Sequence, residues 1–409
     1  MKKLLVILAL LAFAATSFAV ELKLSGDFYV RGSYISIDTD ETNGVDEKYS
    51  YYDQDMNLWA KLVVDENTWV TTRFAIHDEN WKDDSEDEAD DDFTAERVWM
   101  THKFSTGTTL DAGLMTGAGW GTAFGNDTGG KYRIKFTQAL PYGSLVAFVQ
   151  KNTEKGAELK YKDAEKDDSD TYGLGANIKA GDFKIMPLVT YMNNSAKYLD
   201  NGTDAQKTWR ADVAFTGKVG MVGFEGEFSY VTMNDDDNSS LDFDVYGVYL
   251  NGYAMVDKVK VGAIVAYGSY DKDAKKGYDF EDDFDSTLVL GDWLQLGDDY
   301  AYGYGTKGES DLVGMTLLQL YAKTNVTDKL SVNASLSYVF SNQEDNEYED
   351  VKAYEVDLGA SYAITKNLTY SLAFGYAQVK DIIENNGLTD EDKFDLKAIR
   401  AYHKIALTF

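Results

Sequence analysis

Residues 397–409 read KAIRAYHKIALTF, and they constrain the fold more than any other stretch. Ile399, Ala401, His403, Ile405, Leu407 and Phe409 fall on one side, and Arg400, Tyr402, Lys404, Ala406 and Thr408 on the other. Successive side chains of a strand point to opposite faces, so this is a ribbon with one apolar and one polar face. At the edge of a soluble sheet such a ribbon would invite aggregation. With lipid on one face and water on the other it is stable, provided the sheet closes and leaves no backbone group unpaired in hydrocarbon. The same period of two starts at residue 21, where Leu22, Leu24, Gly26, Phe28 and Val30 alternate with Lys23, Ser25, Asp27, Tyr29 and Arg31. From there to the end, short turns alternate with long polar loops. The pattern predicts an all-β fold, a transmembrane antiparallel up-and-down β-barrel of about 18 strands, with 16 as the alternative.

The closing strand, ending on Phe409, resembles that of bacterial outer-membrane β-barrels. That resemblance implies recognition of the chain end by the barrel-assembly machinery. Residues 1–19 read as a signal peptide, with Lys2 and Lys3 ahead of an apolar core and small residues at the cleavage positions. Residues 20–409 then form a single barrel domain. No apolar run after the first twenty residues is long enough for a membrane helix, and the absence of Cys excludes a disulfide framework. A formal charge of -30 argues against nucleic-acid binding, which needs a basic surface.

Two neighbouring stretches carry the functional reading. Residues 116–130, TGAGWGTAFGNDTGG, are Gly-rich with Trp120 and Phe124 embedded. Glycine permits tight folding, and the aromatics would be stranded in a loop pointing into water. Both facts predict an inward-folded constriction loop, with Gly119, Trp120, Phe124, Asn126 and Asp127 as its candidate residues. In position the loop resembles the constriction loop of trimeric porins, and GWGTAFGN resembles a segment of porin-like proteins of delta-proteobacterial type. The resemblance implies a homotrimer in contact with outer-membrane lipid and lipopolysaccharide. Such loops usually carry several acidic residues, whereas this one has only Asp127.

The next strand, KYRIKFTQAL, puts Tyr132, Ile134, Phe136 and Leu140 on the lipid face and Lys131, Arg133 and Lys135 on the lumen face. Like charges stacked about 6.6 Å apart are tolerable in a water-filled pore and attract anionic solutes. Arg31, Lys61, Arg73, Arg97 and Lys103 are expected on the same inner wall, which resembles the basic ladder of porins. Ordinary wall charges offset by Asp53, Asp55 and Asp111 are the plainer reading. Farther along, Glu225 with Glu227, Asp242 with Asp244, and Glu355 with Asp357 are expected as acidic lumen columns completing a transverse field.

The expected function is a porin, a water-filled channel for passive diffusion of ions and small hydrophilic solutes. One alternative is a substrate-specific sugar or organic-anion channel with Tyr29, Trp59, Trp99 and Trp120 as a stacking path. Another is a structural or adhesive surface barrel. An enzyme is not expected, because His77, His102 and His403 sit in no nucleophile or metal motif. No cofactor is expected either. Carboxylate-dense loops at residues 83–92, 235–237 and 281–285 are low-ranking sites for Ca²⁺ or Mg²⁺, and a solvated acidic surface explains them as well. The aromatic loop 268–311 is expected to cap the mouth, reach over a neighbouring subunit or stack on sugars.

Overall fold

A computed structural model describes residues 21–39, 47–81, 93–117, 120–154, 168–195, 206–236, 239–281, 283–284, 286–291, 312–345, 348–383 and 393–409. The expected signal peptide lies outside the described residues. The first half of the sheet comprises β1 (Glu21–Thr39), β2 (Glu47–Val63), β3 (Thr68–Asn80), β4 (Phe93–Lys103), β5 (Thr108–Thr116), β6 (Gly130–Leu140), β7 (Gly143–Thr153), β8 (Ser169–Ala180) and β9 (Phe183–Asn194). Then come β10 (Gln206–Val219), β11 (Val222–Asp235), β12 (Phe243–Val256) and β13 (Val259–Gly268). A two-stranded ribbon of β14 (Tyr270–Asp271) and β15 (Lys276–Gly277) interrupts the series inside a loop. The wall resumes with β16 (Met315–Asn325), β17 (Leu330–Ser341), β18 (Lys352–Ala363), β19 (Leu368–Ile383) and β20 (Lys393–Thr408).

Eighteen of these strands form one antiparallel sheet in chain order, and β1 pairs with β20 to close it. The count settles on 18 rather than 16. At the seam the Gly26 amide donates to the Phe409 carbonyl at 2.8 Å and the Phe409 amide donates back at 2.9 Å. A side chain at Gly26 would collide with the Phe409 ring, since a Cβ there would lie 2.7 Å from it. Closure leaves no free edge, which hydrocarbon requires. Among the described residues no helix is long and apolar enough to cross a membrane, so the crossing is made by strands.

The faces follow the sequence period. On β6, Tyr132 is 61% exposed and Ile134 and Phe136 are also turned outward, while Lys131, Arg133 and Lys135 face the lumen. A slip of one residue would place three cations in lipid at about 2–4 kcal/mol each near the midplane.

The interior departs from the expectation of water throughout. Inward-facing Ile35 and Ile37 of β1, Val245 and Tyr249 of β12, Leu317 of β16, Val339 of β17, Ala353 of β18, and Ala377 and Val379 of β19 are all buried. They belong to one apolar cluster with Phe124, Tyr278, Phe280, Phe284, Val289 and Leu290, which come from two loops. The loop between β13 and β16 therefore does not simply cap the mouth: its residues 278–281, 283–284 and 286–291 enter the barrel and build a core against one side of the wall. Trp293, Tyr300, Tyr302 and Tyr304 of this loop lie outside the described residues.

Candidate functional site

The constriction is built by two loops. Residues 120–129, after β5, turn inward as the Gly and aromatic content predicts. A single 3₁₀ turn at Ala123–Gly125 is capped by Thr122, whose side chain accepts from the Phe124 amide. Phe124 is fully buried and stacks on Tyr249 (5.6 Å between centroids) and Tyr278 (5.4 Å), with Phe280 tilted and Phe284 edge-on against it. Opposite, Glu227 of β11 accepts from the Thr122 amide at 2.5 Å and from its hydroxyl at 2.8 Å. Gly121 and Gly125 make room for that carboxylate, because a Cβ at either would lie within 2.8 Å of it. Gly121 also has φ +78°, a conformation glycine adopts without strain.

The second loop is held on the other side. Glu355 of β18 is fully buried and accepts from the amides of Leu288 (2.7 Å), Val289 (2.7 Å) and Leu290 (2.8 Å). Arg400 of β20 donates to the Leu288 carbonyl at 2.9 Å. A buried carboxylate is costly without partners, and three amides in one turn supply them. The two loops are stitched together as well: the Glu281 amide donates to the Phe124 carbonyl, and the Thr128 hydroxyl to Asp283.

Between the loops and the wall from β6 to β10 lies a chamber of about 350 Å³. Lys131, Arg133 and Lys135 line one side, with Arg210 of β10 farther round. Arg133 donates to Gln150 at 2.6 Å and to the Gly117 carbonyl at 2.6 Å, and its guanidinium lies 4.6 Å from the Phe148 ring centroid. Facing this column are Asp127 and Glu281 of the loops and Asp212 of β10. Lys131 pairs with Asp127, Lys135 with Asp111 at 3.2 Å, and Arg210 with both Asp212 and Glu281. At Asp127 burial disfavours the charged form, but the Lys131 ammonium and the Gly129 amide outweigh it and hold the carboxyl below its usual range. The chamber is thus bordered by charges of both signs, with Lys131, Lys135 and Arg210 each in direct contact with a carboxylate.

The other residues singled out from sequence fall into several places. Arg31 forms a two-point pair with Asp53 (3.0 and 2.9 Å) on the lumen side. Arg73 pairs with Glu96 at 2.7 Å, and Arg97 donates to the Thr128 carbonyl at 3.0 Å, bracing the first loop. Lys61 and Lys103 lie 3.9 and 5.3 Å from the Trp69 ring centroid. Asn126 borders the chamber. Trp120 does too, but its ring packs on Gly175 of β8, away from Tyr29 at the Arg31–Asp53 pair, so the expected stacking path is not continuous. Gly119 lies outside the described residues.

The acidic columns need correction. Glu225 is inward but bonded by Tyr249 (2.8 Å), and Glu227, 2% exposed, is a loop anchor rather than a pore-lining group. Glu355 is an anchor as well. Asp242 precedes β12 and accepts from the Asp235 amide at 2.7 Å. Asp244 is exposed on the outward face with Tyr246, where the outward-facing Tyr230 donates to it at 2.8 Å. Its side was read from polarity, which fails at the rim because the outer face there is wet. The carboxylates that border the chamber are instead Asp127, Asp212 and Glu281. Among the described residues no group of His, Cys, Asp and Glu could hold a metal ion, and residues 83–92 lie outside them.

No protein-family model matches the chain, and no curated protein does. Among solved structures it is similar to OccAB3 of Acinetobacter baumannii, with TM-score 0.57 and 10% identity over 95% of this chain and 100% of that one. OccK3 (OpdO) of Pseudomonas aeruginosa gives 0.55 and 14% identity over 95% and 96%. The outer membrane protein OprD of Pseudomonas aeruginosa gives 0.53 and 12% over 94% of both. The chain has the barrel fold of outer-membrane porins. At these identities the likeness is one of fold, and it extends over nearly the whole length of each chain.

Proposed function

We propose that this barrel is an outer-membrane channel that passes small hydrophilic solutes through one off-centre passage, and that it selects among them rather than sieving by size alone. The observation that carries this reading is that two loops fold into the barrel beside a chamber of about 350 Å³ lined by charges of both signs. A pocket of that size is near the lower end of small-molecule sites, so a solute entering it must exchange water for wall groups. Selection then rests on Lys131, Arg133, Lys135 and Arg210 against Asp127, Asp212 and Glu281. No bond is made or broken, and the barrier is set by desolvation and field. Assembly as a homotrimer, contact with lipopolysaccharide and delivery by the barrel-assembly machinery belong to the same proposal, supported by the resemblance of residues 116–130 and of the closing strand to porins.

Planar-bilayer recording tests it. The expected result is a small open-channel current that saturates as a permeant solute is raised. A current strictly linear in solute concentration favours general diffusion, and complete electrical silence removes the channel reading.

A further inference from the structure

A second recess of about 370 Å³ lies beyond the constriction, and Lys135 lines both. Its walls include Trp69, Trp99, Thr109, Asp111, Thr116 and Lys135. Trp69, Thr109 and Asp111 lie near the short-turn ends of β3 and β5, and Met115 and Thr116 at the long-loop end of β5, so the recess runs along the wall from the first loop toward the short turns. The two indoles are half-buried and firmly placed. Trp99 meets Trp59 edge-on at 6.2 Å and 85°, Arg73 lies over Trp59, and the Lys61 and Lys103 ammoniums lie over Trp69.

We propose that this recess is a stacking subsite for neutral saccharides, on the way from the constriction to the periplasmic opening. It rests on the channel reading and adds a solute class to it. A pyranose has a face of C–H groups and an edge of hydroxyls, so it needs a π surface beside groups that both donate and accept. Indole is the strongest such surface. Asp111 accepts from the Thr101 hydroxyl at 2.6 Å and faces Lys135 at 3.2 Å. The carboxylate keeps further lone pairs and the ammonium further N–H groups, so both serve a sugar hydroxyl while paired. Thr101 and Thr109 add hydroxyls. Asp111 and Lys135 cancel each other's charge, so the recess itself has no net charge with which to select an ion. That favours a neutral polyol over an organic anion. Lys61 and Lys103 do not line the recess.

The test uses the purified full-length barrel in two readouts. Glucose, maltose and maltotriose are titrated into single-channel recordings in potassium chloride and, separately, into detergent-solubilised protein followed by tryptophan fluorescence. The wild-type current is expected to be interrupted by millimolar maltose, with a matching fluorescence change. In the Trp69→Ala, Trp99→Ala double variant the half-blocking concentration should rise about tenfold, in line with loss of aromatic stacking. Trp99→Phe, which keeps a ring, should show a smaller rise and guards against a double variant that fails to fold. An ion current with no sugar block and no fluorescence change overturns the subsite while leaving the channel standing. Silence in salt with a sugar-dependent fluorescence change supports the subsite and overturns the channel. Tighter block by glucuronate than by glucose shows that Lys61 and Lys103 dominate, and it overturns the assignment to neutral sugars.

Discussion

The two halves of this barrel share one wall construction and differ in what they face. From β2 to β10 the inner surface is charged, hydrated and faced by open chambers. From β12 through β20 to β1 its upper part is apolar and covered by loop residues Phe124, Phe284, Val289 and Leu290. The outer faces are alike, because lipid demands the same of every strand. The difference shows that a barrel interior is not bound to be aqueous: where inward residues turn apolar, a loop must cover them. Strand number fixes the size of the ring, and the covered half fixes how much of it conducts.

The largest expected effect comes from dismantling the covered half. Phe124→Ala with Phe284→Ala removes two rings from the loop core at about 3–5 kcal/mol each. Both loops should release, and single-channel conductance should rise severalfold; unchanged conductance would mean that the core does not limit the passage. Next is Glu355→Gln, which leaves the Leu288, Val289 and Leu290 amides a weaker, neutral acceptor at a cost of about 1–3 kcal/mol. Protease cleavage near residues 286–291 should become detectable in otherwise intact protein.

Changes on the hydrated side should alter selectivity more than size. Replacing Lys131, Arg133 and Lys135 by Gln removes the wall cations and leaves Asp127, Asp212 and Glu281. The reversal potential should move toward cations with conductance changed less than about twofold. The smallest effect is that of pH at Asp127. Its folded carboxyl titrates below the ordinary value, so the Lys131 pair is intact above about pH 4, the unfolded range, and is lost as pH falls through the lower folded value. The contribution of Asp127 to selectivity should therefore hold steady from neutral pH to about 4, so the difference between wild type and Asp127→Asn should persist over that range and disappear only below it. Asp127→Asn should show an increased anion preference already at neutral pH.

Much of the wall was legible in the sequence because its cause is local. The period of two reports which side meets lipid, and Lys131, Arg133 and Lys135 face the lumen with their apolar neighbours outside. The inward turn of residues 120–129 was legible from Gly and stranded aromatics. The clamps were not, because their partners are remote: Thr122 and Glu227 are 105 residues apart, and Leu288 and Arg400 are 112 apart. A lone Glu in a polar column gives no sign that it will cap a distant turn. The covered half does leave a trace in the sequence. In β19 the inward series runs Ala373, Gly375, Ala377 and Val379, so the polar face has vanished. A strand apolar on both faces needs a second cover, and the aromatic loop 268–311 was long enough to supply it.

The stitching between the two loops has a mechanical consequence. Because Glu281 holds the Phe124 carbonyl while Thr128 holds Asp283, neither loop can swing aside without dragging the other. The aperture behaves as one interlocked shutter, and tension applied at the β18 and β20 end is felt at β11, across the full width of the ring.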